Sequence, residues 1–188
     1  LRIAARYQAM DKVGGDLYCF FPFEDGRLGV FVGDISGHGI AAALLSASVK
    51  MMLPLLDLAA LPPHEALLAV SEALKGRTAD HFLTAFYGIF SADGRELTYA
   101  MGGHTPFLVL RDGEAAWHPN TGPVLGCLPV TRLSDRTVAL SPGDRLLIYT
   151  DGLTEAMQGN EIFGEERLAG TALENRSLSP EAQVEAII

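Results

Sequence analysis

The stretch VGGDLYCFFPFEDGRLGVFVGDISGHG, residues 13–39, decides the fold of this chain. Two apolar segments, residues 16–23 and 28–35, are rich in aromatic and branched residues and flank a short charged turn that contains glycine, a pattern typical of a β-hairpin. Such a hairpin would bring Asp16 and Asp34 to the same end of a sheet. Two carboxylates that close repel each other, and a hard divalent cation is the commonest reason for placing them together. The sequence therefore favours metal-dependent chemistry.

Outward from the hairpin, the pattern predicts an α+β fold in which helices cover antiparallel sheets. Residues 40–61 are helix-forming and apolar nearly all round, which predicts a mostly buried helix that Pro54 kinks or splits. Ser36 is a candidate N-cap for this helix, and a second helix is predicted over residues 64–75. Further strands are predicted over residues 1–8, 83–92, 96–101, 106–112, 114–119, 137–140 and 145–149, with neighbours antiparallel, and helical pieces over 152–157, 165–175 and 180–188.

Composition narrows the class of protein. The chain has 188 residues, 48% of them hydrophobic, and a net charge of −9, which predicts one globular domain and argues against nucleic-acid or anionic-membrane partners. No apolar stretch is long enough to span a bilayer. The cysteines Cys19 and Cys127 are expected to be buried thiols in a reducing compartment, hence a cytoplasmic protein. Because the first residue is not Met, we expect residues 1–188 to be a single domain taken from a longer, multidomain protein.

Four Asp-Gly dipeptides allow an internal comparison. Asp25, Asp93 and Asp112 each lie between two predicted strands, so we interpret them as hairpin turns. Asp151 follows the apolar run LLIYT and precedes a segment that looks helical. A turn or cap and a metal ligand are both open interpretations of Asp151.

The other candidates also have two interpretations each. Asp34 or Ser36 could merely cap the following helix, the adjacent glycines could cradle a phosphate at its N-terminus, and Asp16 could be a turn residue. His38 is either a general acid or a solvated surface residue, and His104 is expected to stabilise its loop by hydrogen bonding. Three acids at strand ends beside glycines together favour the metal interpretation.

Several ordered motifs resemble a known family, the SpoIIE/RsbU-like branch of the metal-dependent type-2C (PPM) serine/threonine protein phosphatases. The resemblance covers the chain from about Arg6 onward. Its motifs are Val13-Gly14-Gly15-Asp16, Gly33-Asp34-Ile35-Ser36-Gly37-His38-Gly39, Gly103-His104-Thr105-Pro106, Tyr149-Thr150-Asp151-Gly152-Leu153-Thr154-Glu155-Ala156 and Phe163-Gly164-Glu165-Glu166-Arg167-Leu168.

The resemblance implies an αββα sandwich of two antiparallel β-sheets flanked by helices, with two Mn²⁺ or Mg²⁺ ions. It implies that Asp16, Asp34, the backbone carbonyl of Ile35 and Asp151 are metal ligands, with Asp34 bridging the ions, and that a metal-bridging water attacks phosphorus. The implied substrate is a phosphoserine or phosphothreonine protein, of the anti-anti-sigma (STAS) type in many relatives. An upstream sensory domain and a homodimer are further expectations.

The chain departs from the family pattern in two places. Met101-Gly102 stands where the family usually has Asn-Ala, and the closing Asp-Asp-x-Thr motif, which supplies another ligand on a last strand, does not occur before Ile188. We therefore expect the second metal to bind weakly and catalysis to be impaired in residues 1–188. The alternative to an active phosphatase is an inactive interaction module with the same fold, and a phosphoesterase for small molecules is a third possibility.

Overall fold

The computed structural model describes residues 1–8, 13–78, 80–127, 129–130 and 132–188. These residues form two compact units. The large unit consists of the described residues of Ala9–His104 and Asn120–Ser141. The small unit consists of Leu1–Gln8, Thr105–Pro119 and Pro142–Ile188.

The large unit contains a five-stranded antiparallel sheet, with two helices against one face of it. Its helices are α1 (Ile40–Met52), followed by a 3-10 turn over Leu53–Leu55, and α2 (Pro63–Leu74); its strands are β1 (Leu17–Pro22), β2 (Leu28–Ile35), β3 (Leu83–Phe90), β4 (Glu96–Gly102) and β7 (Arg136–Ala139). The spatial order of the strands is β1-β2-β3-β4-β7. Helix α1 contacts β1 and β2, and α2 contacts β3 and β4.

The two faces of this sheet have different roles. Successive side chains of a strand point to opposite faces, and Phe31, Ile35 and Tyr87 belong to the core that the sheet shares with α1 and α2. Asp34 and Thr84, which are paired across β2 and β3, therefore project from the face that lies away from these helices.

The small unit contains a three-stranded sheet with the order β6-β5-β8 and a two-stranded ribbon. Its strands are β5 (Phe107–Arg111), β6 (Glu114–His118), β8 (Arg145–Leu147), β9 (Met157–Gln158) and β10 (Glu161–Ile162), and its helices are α3 (Asp151–Thr154), α4 (Gly164–Glu174) and α5 (Pro180–Ile187). Leu108 and Leu110 of β5 share a core with Leu168 of α4 and Ile187 of α5. The two antiparallel sheets and their helices confirm the predicted α+β class.

The three predicted hairpin turns are present, at Asp25-Gly26, Asp93-Gly94 and Asp112-Gly113, each between paired antiparallel strands. Each of these glycines has a positive φ, between 69° and 85°. The amide of Arg27 donates to Asp25, and the hydroxyl of Ser91 donates to Asp93. These hydrogen bonds lower the pKa of both carboxyls. The position of all three dipeptides between paired strands confirms their turn role.

Helix α1 is far more exposed than the sequence predicts. Its buried residues are Ala42, Ser46 and Val49. The apolar side of α1 comprises four large residues that are exposed by 64–84%: Ile40, Leu44, Met51 and Leu55 of the adjoining turn. The prediction of a mostly buried helix is wrong, because α1 contacts the sheet of its unit along one face only. Pro54 acts as predicted, since the α-helix ends at Met52.

The predicted strand over residues 1–8 is also wrong. Leu1–Gln8 has no regular secondary structure. Its arginines face helix α5 instead, where Arg2 lies 3.6 Å from Glu181 and Arg6 lies 3.5 Å from Glu185. An extended segment becomes a strand only when a neighbouring strand supplies the hydrogen-bond ladder, and here α5 provides ion pairs in its place.

Three smaller expectations need correction. The two strands on either side of Gly102-Gly103 are not neighbours, because β4 and β5 belong to different sheets. Ser36 does not cap α1, which begins after Gly39 with no side-chain cap. Cys127 is exposed and Cys19 is half-buried, so the prediction of two buried thiols is wrong. Neither cysteine forms a disulfide.

Candidate metal and active site

Asp16 and Asp34 lie at one end of the large sheet. The β1–β2 register pairs Leu17 with Gly33, and its continuation by one residue sets Asp16 opposite Asp34. Residues directly opposite on antiparallel strands share a face, with Cβ atoms roughly 4.5–5.5 Å apart. Thr84 of β3 lies opposite Asp34 on its other side. The two half-buried carboxylates therefore form a row with the Thr84 hydroxyl across three chain segments.

Gly15 allows the chain before β1 to approach the end of β2 very closely. A Cβ atom at Gly15 would lie 2.5 Å from the carbonyl oxygen of Ile35 and 3.0 Å from Oδ1 of Asp34. The amide of Ile35 also donates to the carbonyl oxygen of Gly15 at 3.3 Å. The absence of a side chain at Gly15 therefore keeps a carboxylate oxygen and a backbone carbonyl close to the same point.

Helix α1 holds the segment that carries Asp16. The hydroxyl of Ser46, on the buried face of α1, donates to the backbone carbonyl of Asp16 at 3.3 Å. This contact fixes the backbone of Asp16 from the helix side of the sheet. Ser46 has no motif around it, so sequence reasoning did not select it.

The loop after Asp34 is fastened to the start of β3. The amide of Ser36 donates to the carbonyl of Phe82 and the amide of Phe82 donates to the Ser36 hydroxyl, both at 2.9 Å. Nδ1 of His81 lies 2.5 Å from the carbonyl oxygen of Ser36. These bonds set the path of the chain between Ile35 and His38. Sequence reasoning missed His81 because only the β2–β3 pairing brings residue 81 beside residue 36.

The two histidines within motifs occupy different environments. His38 is exposed in the loop between β2 and α1, as either a general acid or a solvated residue would be. His104 is buried, and its Nδ1 lies 3.1 Å from the hydroxyl of Thr84. The predicted hydrogen-bonding role of His104 is confirmed, and its partner Thr84 belongs to the same row as Asp34.

Asp151 lies in the small unit, where it is exposed and begins the short helix α3. The strand before it, β8, ends at Leu147, so Asp151 does not directly terminate a strand as the sequence predicts. Its carbonyl oxygen accepts from the amide of Glu155 at 2.7 Å. A negative charge in the first turn of a helix is favourable in itself, so the geometry is compatible with a cap and with a ligand.

The donor atoms of the large unit suit a hard cation. They are the carboxylates of Asp16 and Asp34 and the carbonyl of Ile35, and Mg²⁺ and similar ions prefer such oxygen ligands. Among the described residues, no three His, Cys, Asp or Glu side chains gather into a group that could hold a metal ion. The space beside Gly15, which a Cβ atom would fill, is nevertheless the place where Oδ1 of Asp34 and the carbonyl oxygen of Ile35 lie close together.

The chain belongs to the SpoIIE family, whose sequence model, described as Stage II sporulation protein E, matches residues 24–188. It thus falls in the SpoIIE/RsbU-like branch of the type-2C phosphatases, a family that depends on divalent metal ions in general. No helix in the described part of the chain is long and apolar enough to cross a membrane.

Among individual relatives, the chain is 26% identical to phosphoserine phosphatase RsbP of Bacillus subtilis, over 87% of this chain and 42% of RsbP. Its structure is similar to the RsbU and RsbW domains of Rv1364c from Mycobacterium tuberculosis, with a TM-score of 0.81, 29% identity, and coverage of 95% of this chain and 51% of that one. It also shares the fold of the SiaA-PP2C domain of Pseudomonas aeruginosa, with a TM-score of 0.83, 22% identity, and coverage of 95% and 73%.

These similarities confirm the predicted fold class. They concern part of each relative, since the chain spans between a third and just under half of the length of the curated relatives that it matches.

Proposed function

We propose that this chain is the catalytic domain of a metal-dependent protein phosphatase that hydrolyses phosphoserine or phosphothreonine on a regulatory protein. The observation that carries this proposal is the convergence of Asp16, Asp34 and the Ile35 carbonyl at one sheet end, in a chain whose family membership spans residues 24–188. An acidic chain with a net charge of −9 repels phosphate, so bound cations would also be needed to attract the substrate.

We propose that the carboxylates of Asp16, Asp34 and Asp151 and the Ile35 carbonyl would hold two ions, Mn²⁺ or Mg²⁺. Such ions, when bound, acidify water and neutralise phosphoryl oxygens. The residues of the chain do the rest. Gly15 lets the Ile35 carbonyl oxygen and Oδ1 of Asp34 lie close to one point, and the Ser36–Phe82 bonds hold the Ile35 peptide. Exposed His38 is the proposed donor of a proton to the leaving serine or threonine oxygen.

The partners of the proposed enzyme follow from its relatives. RsbP and RsbU are named as phosphoserine phosphatases, and one similar structure joins RsbU and RsbW domains. By extension, we propose a cytoplasmic, partner-switching role in which the substrate is a phosphorylated STAS-type protein and an upstream sensory domain controls the activity.

We also propose that two copies associate through the apolar side of α1. Four large apolar residues exposed by 64–84% on one helix side form the kind of patch that marks an interaction site. Leu44→Glu should lower the molar mass measured by light scattering at high protein concentration, whereas Lys50→Glu on the same helix should not. An unchanged mass in Leu44→Glu would refute this dimer contact.

The test of the proposed activity compares two aspartates of the same hairpin. Hydrolysis of p-nitrophenyl phosphate and of a phosphoserine protein is measured with and without Mn²⁺ for the unmodified chain, Asp34→Asn and Asp25→Asn. We expect Asp34→Asn to lose at least ~100-fold in kcat, the usual loss when one electrostatic group of a site is removed. Asp25→Asn, at the opposite end of the hairpin, should retain the activity.

The alternative is an inactive interaction module. The structure offers one observation in its favour, the absence of a three-acid group among the described residues. A chain that binds its partner but shows no Mn²⁺-dependent turnover, alone or within the longer protein, would establish that alternative. Turnover that does not depend on metal or on Asp34 would contradict both.

A further inference from the structure

We propose that His81 is a positioning residue for the metal site: its imidazole holds the loop that carries the Ile35 carbonyl and His38. The inference rests on the proposed function, and it adds a residue outside the motifs that identify the family. His81 lies immediately before β3 and is separated from Ser36 by 45 residues in the sequence.

Phe82 holds the peptide group between Ile35 and Ser36. A peptide group is planar and trans, so its N–H and C=O point in opposite directions. The Ser36 amide donates to the carbonyl of Phe82. The Ile35 carbonyl must therefore point away from β3, towards Gly15, in agreement with the 2.5 Å separation from the Cβ position of Gly15. The hydrogen bonds between Ser36 and Phe82 thus set the direction of the Ile35 carbonyl, which is one of the proposed metal ligands.

His81 holds the next peptide group, between Ser36 and Gly37. Its carbonyl oxygen lies 2.5 Å from Nδ1 of His81. A carbonyl only accepts hydrogen bonds, so Nδ1 carries the proton and donates. Two successive peptide planes are therefore fixed by residues 81 and 82, and the second of them leads directly to His38.

Gly37 makes room for the imidazole of His81. It has a φ of 87°, and a Cβ at this position would lie 3.1 Å from Cε1 and 3.3 Å from Nδ1 of His81. The glycine that turns the chain towards His38 also lets the ring approach the backbone. The imidazole of His81 therefore lies in the space that Gly37 leaves and donates to the Ser36 carbonyl. Removal of the ring would free the peptide group between Ser36 and Gly37.

The experiment uses three variants of the chain: His81→Ala, His81→Asn and His64→Ala. Asn can place an amide N–H near the position of Nδ1, so it should restore the bond to the Ser36 carbonyl. His64→Ala is the matched control, because its Nδ1 also makes a short bond, 2.7 Å to Asp135, but to no residue of the loop. Mn²⁺ affinity is measured by electron paramagnetic resonance of the free ion, and amide hydrogen exchange and thermal unfolding are measured without metal.

We expect the Mn²⁺ dissociation constant of His81→Ala to rise ~3- to ~10-fold, the range that the net contribution of one hydrogen bond implies. The amide of Ser36 donates to Phe82 one peptide group before the freed Ser36 carbonyl. It should exchange faster in the metal-free His81→Ala chain, because loss of the ring loosens the loop next to this bond. His81→Asn should bind Mn²⁺ within about twofold of the unmodified chain, and His64→Ala should bind it unchanged.

Three outcomes would overturn the inference. One is unchanged Mn²⁺ affinity in His81→Ala. Another is an equal loss of affinity in His81→Asn, because the hydrogen bond would then not be the cause. The third is a loss of Mn²⁺ affinity in both His64→Ala and His81→Ala that is proportional to the loss of thermal stability in each variant. An unmodified chain that binds no Mn²⁺ would instead refute the proposed function, and the inference with it.

Discussion

Replacement of Gly15 by alanine should disable the metal site while leaving most of the fold intact. The new Cβ would stand 2.5 Å from the Ile35 carbonyl oxygen and 3.0 Å from Oδ1 of Asp34. Ordinary van der Waals contact begins near 3.4 Å, so the carbonyl and the Cβ must separate by 3.4 − 2.5 = 0.9 Å. The atom that must move belongs to the backbone of a strand end, which cannot rotate away as a flexible side chain would.

The size of the effect follows from this displacement. Overpacking of this kind costs typically ~1–3 kcal/mol of unfolding free energy. A displacement of ~1 Å in a site can lower a rate ~100-fold. We therefore expect Gly15→Ala to unfold cooperatively with a moderately lowered midpoint in urea, to bind Mn²⁺ weakly, and to lose about two orders of magnitude in kcat.

Gly170→Ala provides the matched control. Gly170 lies within α4, where an added Cβ meets nothing within 4 Å. This substitution should raise the unfolding free energy by ~0.5–1 kcal/mol, since alanine favours helices over glycine, and leave Mn²⁺ binding unchanged. If Gly15→Ala retained Mn²⁺ affinity and hydrolysis within twofold, the close approach at Gly15 would not be part of the metal site.

Three further predictions concern single contacts. Ser46→Ala removes the hydroxyl that donates to the Asp16 carbonyl, so the unfolding free energy measured in urea should fall by ~0.5–1.5 kcal/mol and Mn²⁺ should bind more weakly. Unchanged Mn²⁺ binding would show that α1 does not support Asp16. Arg111→Ala removes a guanidinium that contacts both oxygens of Asp144, whose side chain is 5% exposed. The midpoint of urea unfolding should fall because the buried carboxylate loses its ion pair, and an unchanged midpoint would show that this ion pair does not stabilise the fold. Burial raises the pKa of the Tyr149 hydroxyl to about 12 from 10.0, so folding opposes its ionisation. The unfolding free energy should therefore fall as the pH rises from 10 towards 12, and Tyr149→Phe should show a smaller fall in urea unfolding curves. An identical pH dependence in the variant would exclude Tyr149 as a cause.

Local turn chemistry explains why the hairpins were predictable. Each of Asp25-Gly26, Asp93-Gly94 and Asp112-Gly113 has a glycine at positive φ. The carboxylates of Asp25 and Asp93 also accept hydrogen bonds from nearby residues, and Asp112 itself has a positive φ. These signals lie within four residues of the chain, so they do not depend on tertiary context. The relation of Asp16 to Asp34 follows from the first turn, because an antiparallel register is set by its connection.

The exposure of α1 was not predictable in the same way. A sequence that is apolar nearly all round contains no period that tells the buried face from the exposed one. The structure supplies the missing information, since Ala42, Ser46 and Val49 face the sheet while Leu44 and Met51 do not. The assignment of β4 and β5 to different sheets is likewise a long-range property, which glycine signals between two strands do not encode.

The supporting residues of the site form the third case. His81 and Ser46 contact the loop and the strand end through separations of 45 and 30 residues, and neither has a motif around it. Motif residues can be selected from sequence because the chemistry requires their side chains. Residues that hold a backbone carbonyl in place are selected by register and packing, so they become visible only in the structure.

The most direct test of the central claim is to locate bound manganese. Crystals of the chain grown with Mn²⁺ would be measured at the manganese absorption edge, and an anomalous difference map would show the ion positions. We expect a peak within about 2.0–2.4 Å of an Asp34 oxygen and the Ile35 carbonyl oxygen, and we expect this peak to be lost in crystals of Asp34→Asn. A map with no peak at this sheet end, or a peak that persists in Asp34→Asn, would contradict the proposed metal site.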